Sequence, residues 1–233
     1  MENKLKNFGL YLTVLRTTFM GRVLLRSVEF VVLFFGVPLL IYLDRDFIHP
    51  SMIILPVLVF IFFILRRTSD FQWKELIRWG VSRVDLIRNA LIVFLCLILM
   101  LGYMILFEPE HLFDLPRANP WIYLAICIFY PLFSAYGQEV IYRTFLFRRY
   151  GNLFARPRAI VAASGITFSF LHIVYYDPVS IILTLIGGIY FARIYQQTGS
   201  VLFSAVLHGA LGIVIFGVGL GRYFWLDMPV KFG

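Results

Sequence analysis

In a strongly apolar run near the middle of the chain, the stretch Tyr136 to Arg149 sets Gln138, Glu139 and Arg143 among residues that otherwise suit hydrocarbon. An ionisable side chain at membrane depth costs roughly 3 kcal/mol or more unless it is paired, so each such residue is a functional-site hypothesis. Glu139 and Arg143 stand four apart, and on a helix their carboxylate and guanidinium meet on one face. Further on, His172 and His208 interrupt two more apolar runs. A carboxylate, a guanidinium and two imidazoles suffice to deprotonate a water and to steady a developing oxyanion. No Ser-His-Asp arrangement points to a covalent nucleophile. Alternatively, Glu139, His172 and His208 supply three zinc ligands with a fourth position open, although the His-Glu-x-x-His helix of zinc peptidases is missing.

The elements that must hold these groups are membrane helices. The chain has 233 residues, 61% hydrophobic and 15% charged, with a mean hydropathy of +0.85, which no water-soluble core requires. The expected fold is all-α, a polytopic transmembrane bundle of about seven spans with interfacial amphipathic helices. The net charge of +8 does not indicate nucleic acid, because the basic residues cluster beside apolar spans instead of forming a separate basic domain. Cys96 and Cys127 both lie inside apolar runs and read as buried structural thiols.

Residues 1 to 26 carry Lys4, Lys6, Arg16, Arg22 and Arg26 against Glu2 alone and read as an interfacial helix on an anionic leaflet. Apolar runs follow at Phe30 to Leu43, Met52 to Leu65, Ala90 to Phe107, Trp121 to Tyr136, Ile160 to Val174, Val179 to Tyr195 and Val201 to Leu220. The shorter ones must borrow flanking aromatics to reach the ~20 residues that cross a bilayer. Residues 68 to 89 mix charges with Phe71, Trp73, Leu76, Ile77, Val84 and Ile87 and read as a surface helix. Arg66, Arg67, Lys74, Arg78, Arg83 and Arg88, and later Arg148, Arg149, Arg156 and Arg158, mark alternate loops, whereas the loops near Asp44 and Glu108 are acidic or balanced. The positive-inside rule then puts the N-terminus in the cytoplasm and the C-terminus outside, in an integral multi-pass protein whose expected setting is a bacterial or archaeal plasma membrane. One membrane domain accounts for the chain: residues 1-118 hold the interfacial helix and three spans, and residues 119-222 a core of four.

Depth links the polar groups. At ~1.5 Å per residue, Glu139 lies roughly 14 Å from Arg148, His172 roughly 21 Å from Arg158 and His208 roughly 15 Å from Thr198. His49 and His111 fall in outer loops. A lone histidine in a membrane helix usually hydrogen-bonds a neighbour and does no more. Two at matched depth, level with an acid and an arginine, read as a convergent site.

Gln138-Glu139-x-x-x-Arg143, then Phe168-x-x-x-His172, then Thr198-Gly199-Ser200 leading to His208, resembles the signature of the CAAX protease and bacteriocin-processing (CPBP, or Abi) family. These are intramembrane endopeptidases, and they include the type II enzymes that trim prenylated CAAX proteins. The resemblance covers roughly residues 119 to 215. It implies a hydrolase, a membrane protease that cleaves a membrane-associated protein or peptide, prenylated or not, by glutamate-activated water. It also implies that Gln138, Glu139, Arg143, His172 and His208 line the site, and metal-free chemistry, with zinc as the alternative. In the family pattern the first of two glutamates activates the water, and an asparagine four residues after the last histidine helps to hold the oxyanion.

Both of those positions differ here. Gln138 replaces the first glutamate, and an amide has no useful basicity near neutral pH. Gly212 replaces the asparagine and offers only backbone. The readings left open are a protease in which Glu139 is the base, a protease whose active form carries glutamate at 138, and a homologue that binds membrane peptides without cutting, as an immunity or scaffold protein does. A transporter would call for inverted repeats and paired broken helices, and neither is seen.

Overall fold

The computed structural model describes residues 18–43, 50–68 and 71–225, and within helices it leaves the side chains of Phe19 and residues 50–54 undescribed. Helix is the only regular structure among the described residues. Among the described residues six helices are long and apolar enough to cross a bilayer: α1 (Met20–Leu43), α3 (Arg83–Phe107), α4 (Pro120–Leu153), α5 (Pro157–Tyr175), α6 (Pro178–Thr198) and α7 (Val201–Val218). The remaining apolar run lies in α2 (Pro50–Arg66), whose 17 residues rise only about 25 Å. Among the described residues the seven apolar runs thus appear as six full-length spans and one shorter apolar helix, in keeping with a bundle of about seven.

Of the two surface helices expected from sequence, one falls mostly outside the described residues and the other is corrected. Residues 20–26 already belong to the first span, and residues 1–17 lie outside the described part, as does His49. Between α2 and α3 the described chain forms only a 3-10 turn, Trp73–Glu75, before Ser82 caps α3 by accepting from the Asp85 amide at 3.0 Å. Of the apolar residues of this stretch, Phe71 is buried and the partly exposed Trp79 packs edge-on to Phe203 at 5.4 Å, whereas Ile77, Val84 and Ile87 stay exposed.

The bundle is organised on α7, the most enclosed span, whereas α3 is the least enclosed and shows Leu91, Phe94, Leu95 and Leu99 to the lipid. Small residues allow α4 to lie directly on α7. A Cβ at Gly209, Gly212 or Gly217 would stand within 3 Å of Pro131, Tyr130 and Tyr123 respectively, an order that makes the two helices antiparallel. The α5–α6 crossing is as tight, since a Cβ at Gly188 would meet Phe168 Cδ1 at 2.9 Å and Gly165 Cα at 3.1 Å. Gly199, at φ +62°, turns α6 into α7, and Arg78 Nη2 donates to its carbonyl at 2.9 Å.

Helix α4 is not uniform. Pro131 has no N–H to give the preceding turn, and the helix widens to a π segment over Tyr130–Ala135. A second π segment, Val140–Phe145, encloses Arg143. Between them the single α turn Tyr136–Glu139 carries Gln138 and Glu139.

The α5–α6 crossing yields a prediction. Gly188→Leu overpacks it and is expected to cost about 1–3 kcal/mol. Gly102→Leu, where a Cβ meets nothing within 4 Å, should leave the melting temperature unchanged or higher. Thermal unfolding of the two variants in lipid nanodiscs checks this, and equal loss in both would refute the packing argument.

Candidate active site

Glu139 is completely buried, and each of its oxygens is engaged. Oε2 lies 3.0 Å from Arg143 Nε and accepts from Ser204 Oγ at 2.5 Å, while Oε1 lies 3.1 Å from His208 Nδ1. Arg143, also fully buried, donates from Nη1 to Ser164 Oγ at 2.6 Å and lies over the Phe168 ring at 5.3 Å. Ser164 Oγ in turn donates to the Tyr142 carbonyl at 2.8 Å. The pair expected from the i, i+4 spacing forms, and hydroxyls of α5 and α7 complete it. Because a carboxylate only accepts, His208 Nδ1 carries the hydrogen.

His208 is clamped between Phe191, stacked at 4.8 Å, and Phe168, edge-on at 5.4 Å, and its Nε2 lies 3.0 Å from the Tyr130 hydroxyl. His172 packs on the other side of Phe168, with centroids 4.8 Å apart, and its Nδ1 donates to the Phe168 carbonyl at 2.7 Å. That bond leaves Nε2 as the ring nitrogen without a partner in hydrogen bonding among the described residues.

Adjacent residues of a helix point about 100° apart, and here the divergence separates two environments. Glu139 turns into the charge network, and Gln138 turns into a cavity of about 260 Å³ walled by α3 to α7, which His172, His208 and Tyr130 also line. A narrower apolar cavity of about 100 Å³, lined by α1, α2, α4 and α5, shares Gln138, His172 and Tyr175 with the first. Gln138 Nε2 donates to Ser134 Oγ at 3.0 Å, and its Oε1 is buried without a partner. Thus Gln138, His172 and His208 share one cavity wall, whereas Glu139 and Arg143 stand behind it.

Beyond the spans, the turn Leu220–Phe224 closes the large cavity, with Phe224 6.2 Å from His172. Glu108 ties that turn down, pairing with Arg222 at 2.6 Å and accepting from Tyr223 at 2.5 Å. Burial pushes the Glu108 carboxyl up, but hydrogen bonds from Tyr223 and Tyr103 and the charge of Arg222 outweigh it and hold the group below the usual carboxylate range.

Glu139, His172 and His208 do not assemble as a metal-ligand set. No group of three or more His, Cys, Asp or Glu among the described residues is placed to hold an ion, and the Glu139 oxygens already face a guanidinium, a hydroxyl and an imidazole N–H.

Residues 119–224 match the family model described as Type II CAAX prenyl endopeptidase Rce1-like. This region is Rce1-like. No curated protein and no solved structure matches the chain. The Rce1-like region runs from the N-cap of α4 to the cavity-closing turn, so it holds all five expected site residues and the whole of α4 to α7. With six apolar spans, the chain is an integral multi-pass membrane protein.

Tyr130, Ser164 and Ser204 were not anticipated. The signal for them is a four-residue stripe ending on each expected residue: Tyr130-Ser134-Gln138 on α4, Ser164-Phe168-His172 on α5 and Ser204-His208 on α7. Arg143→Met, which strands the Glu139 carboxylate, is expected to cost on the order of 3 kcal/mol. Adding Glu139→Gln should return most of that loss, a coupling that a double-mutant cycle of thermal unfolding measures. Additive losses would contradict a shared network.

Proposed function

We propose that the chain is an intramembrane endopeptidase that takes a membrane-associated protein or peptide into the cavity walled by α3 to α7 and hydrolyses one peptide bond there. The observation that carries this reading is the convergence of Gln138, His172 and His208 on one cavity wall, inside the Rce1-like region. The N-terminus faces the cytoplasm in this proposal, as the loop arginines suggest.

His172 is the base. Its Nδ1–H is spent on the Phe168 carbonyl, so the neutral ring presents the Nε2 lone pair, and Gln138 beside it orients the water through its amide. Nε2 takes a proton from water as the water oxygen bonds to the scissile carbonyl carbon. The carbonyl oxygen becomes an oxyanion, then the C–N bond breaks and the leaving nitrogen receives the proton held on His172. Glu139 and Arg143 act through His208, whose orientation they hold. No step of this scheme uses zinc, the alternative cofactor.

A second reading, peptide binding without cleavage, is favoured by the neutral Gln138 amide in the cavity and by the full engagement of Glu139. The test is cleavage of a panel of bilayer-tethered peptides by the native chain, Gln138→Glu and His172→Gln. The expected result is slow native cleavage, a gain of at least ~10-fold with glutamate at 138 and a loss of ~100-fold without the histidine, in line with the value of one positioned base. Binding without native cleavage, together with cleavage by Gln138→Glu, would replace the first reading by the second.

A further inference from the structure

The wall of the large cavity contains a hydroxyl tied to the buried charges. Tyr130 Oη lies 3.0 Å from His208 Nε2, and the Nδ1 of the same ring lies 3.1 Å from Glu139 Oε1, so carboxylate, imidazole and phenol form one file from the core of the bundle to the cavity. Of the other hydroxyls on the wall, Tyr190 donates to Asn89 at 2.7 Å and Thr184 to the Ser180 carbonyl at 2.6 Å, while Ser134 accepts from Gln138; Tyr175 also lines the cavity, but it is Tyr130 that bonds the His208 ring.

Tyr130 can occupy this place because residue 212 is glycine. A Cβ there would stand 2.2 Å from Tyr130 Cε1 and 2.8 Å from the hydroxyl oxygen, so a side chain at 212 and the phenol exclude each other. The π segment begins at Tyr130, and the ring rests edge-on to Phe216 with centroids 5.7 Å apart. A glycine on α7 and a tyrosine on α4 therefore constitute one feature.

We infer that Tyr130 is a catalytic residue, the hydrogen-bond donor to the carbonyl oxygen of the bound peptide, filling the place that a carboxamide at position 212 would hold; this rests on the peptide-hydrolysis reading. With the ring hydrogen on Nδ1, His208 Nε2 accepts the phenol hydrogen at rest, and that hydrogen turns from Nε2 to the carbonyl oxygen as the oxygen gains charge. No bond of Tyr130 breaks.

Two arms test it. In the first, kcat and KM are measured on a bilayer-tethered peptide for the native chain, Tyr130→Phe, Tyr130→Ala and the double variant Tyr130→Ala with Gly212→Asn. Loss of one oxyanion donor predicts a kcat fall of about 10²–10³ in Tyr130→Phe with KM within ~3-fold, and the double variant should exceed Tyr130→Ala alone by at least ~10-fold. Native kcat in Tyr130→Phe overturns the inference. In the second arm, a phosphonamidate of the same peptide, whose tetrahedral oxygens resemble the oxyanion, is bound to each protein. Tyr130→Phe should weaken it at least ~10-fold and the parent peptide less than ~3-fold. Equal effects on the two ligands overturn the inference. If the native chain cuts no peptide, the hydrolysis reading falls by itself, and the Tyr130 assignment then stands or falls on the phosphonamidate arm.

Discussion

The ion pair between Glu139 and Arg143, sealed in the middle of an apolar bundle, is the interaction on which the rest of the structure depends. Removing two charges from water is expensive, and their mutual attraction offsets this only when the remaining hydrogen-bonding capacity is met. Ser164 of α5, Ser204 and His208 of α7 and the face of the Phe168 ring meet most of it, leaving Arg143 Nη2 without a hydrogen-bond partner among the described residues, so the pair ties three helices together. A fourth follows, since Phe191 of α6 stacks on His208.

That same pair divides α4 into two faces. Between its π segments a single α turn directs Glu139 inward and Gln138 to the cavity. Chemistry assigned by residue type alone would give the base to the carboxylate. The geometry instead leaves the carboxylate as the anchor of His208 and brings an amide, two imidazoles and a phenol to the cavity. The replacements at 138 and 212 then read differently: Gln138 keeps a hydrogen-bonding group on the wall, and Gly212 admits Tyr130.

Much of this was legible in the sequence, for a physical reason. Charges and imidazoles at membrane depth are costly enough to stand out, so Glu139, Arg143, His172 and His208 could be named, and the i, i+4 spacing paired the first two correctly. In the structure Pro178 opens α6 and Gly199 caps its end at φ +62°, as their backbones demand. Tyr130, Ser164 and Ser204 were not legible, because tyrosine and serine are ordinary in membrane helices and only their four-residue stripes set them apart. The segment 68 to 89 misled because its mixed composition suits a surface helix as well as it suits a loop with Phe71 and Trp79 folded onto the bundle. The π segments of α4 depend on how Pro131 and Arg143 are accommodated by neighbours, which no local pattern carries.

The central claim is that position 138 belongs to the cavity while the charged network beside it is closed. In a variant whose Cys96 and Cys127 are replaced by alanine, Gln138→Cys and Ser204→Cys each place one thiol on either side of that boundary. The rate of labelling by a small membrane-permeant maleimide, in protein that still unfolds cooperatively, is the most direct test. The structure predicts ready labelling at 138, slowed by a bound peptide, and protection at 204. Labelling at 204 as fast as at 138, or none at 138, would contradict it.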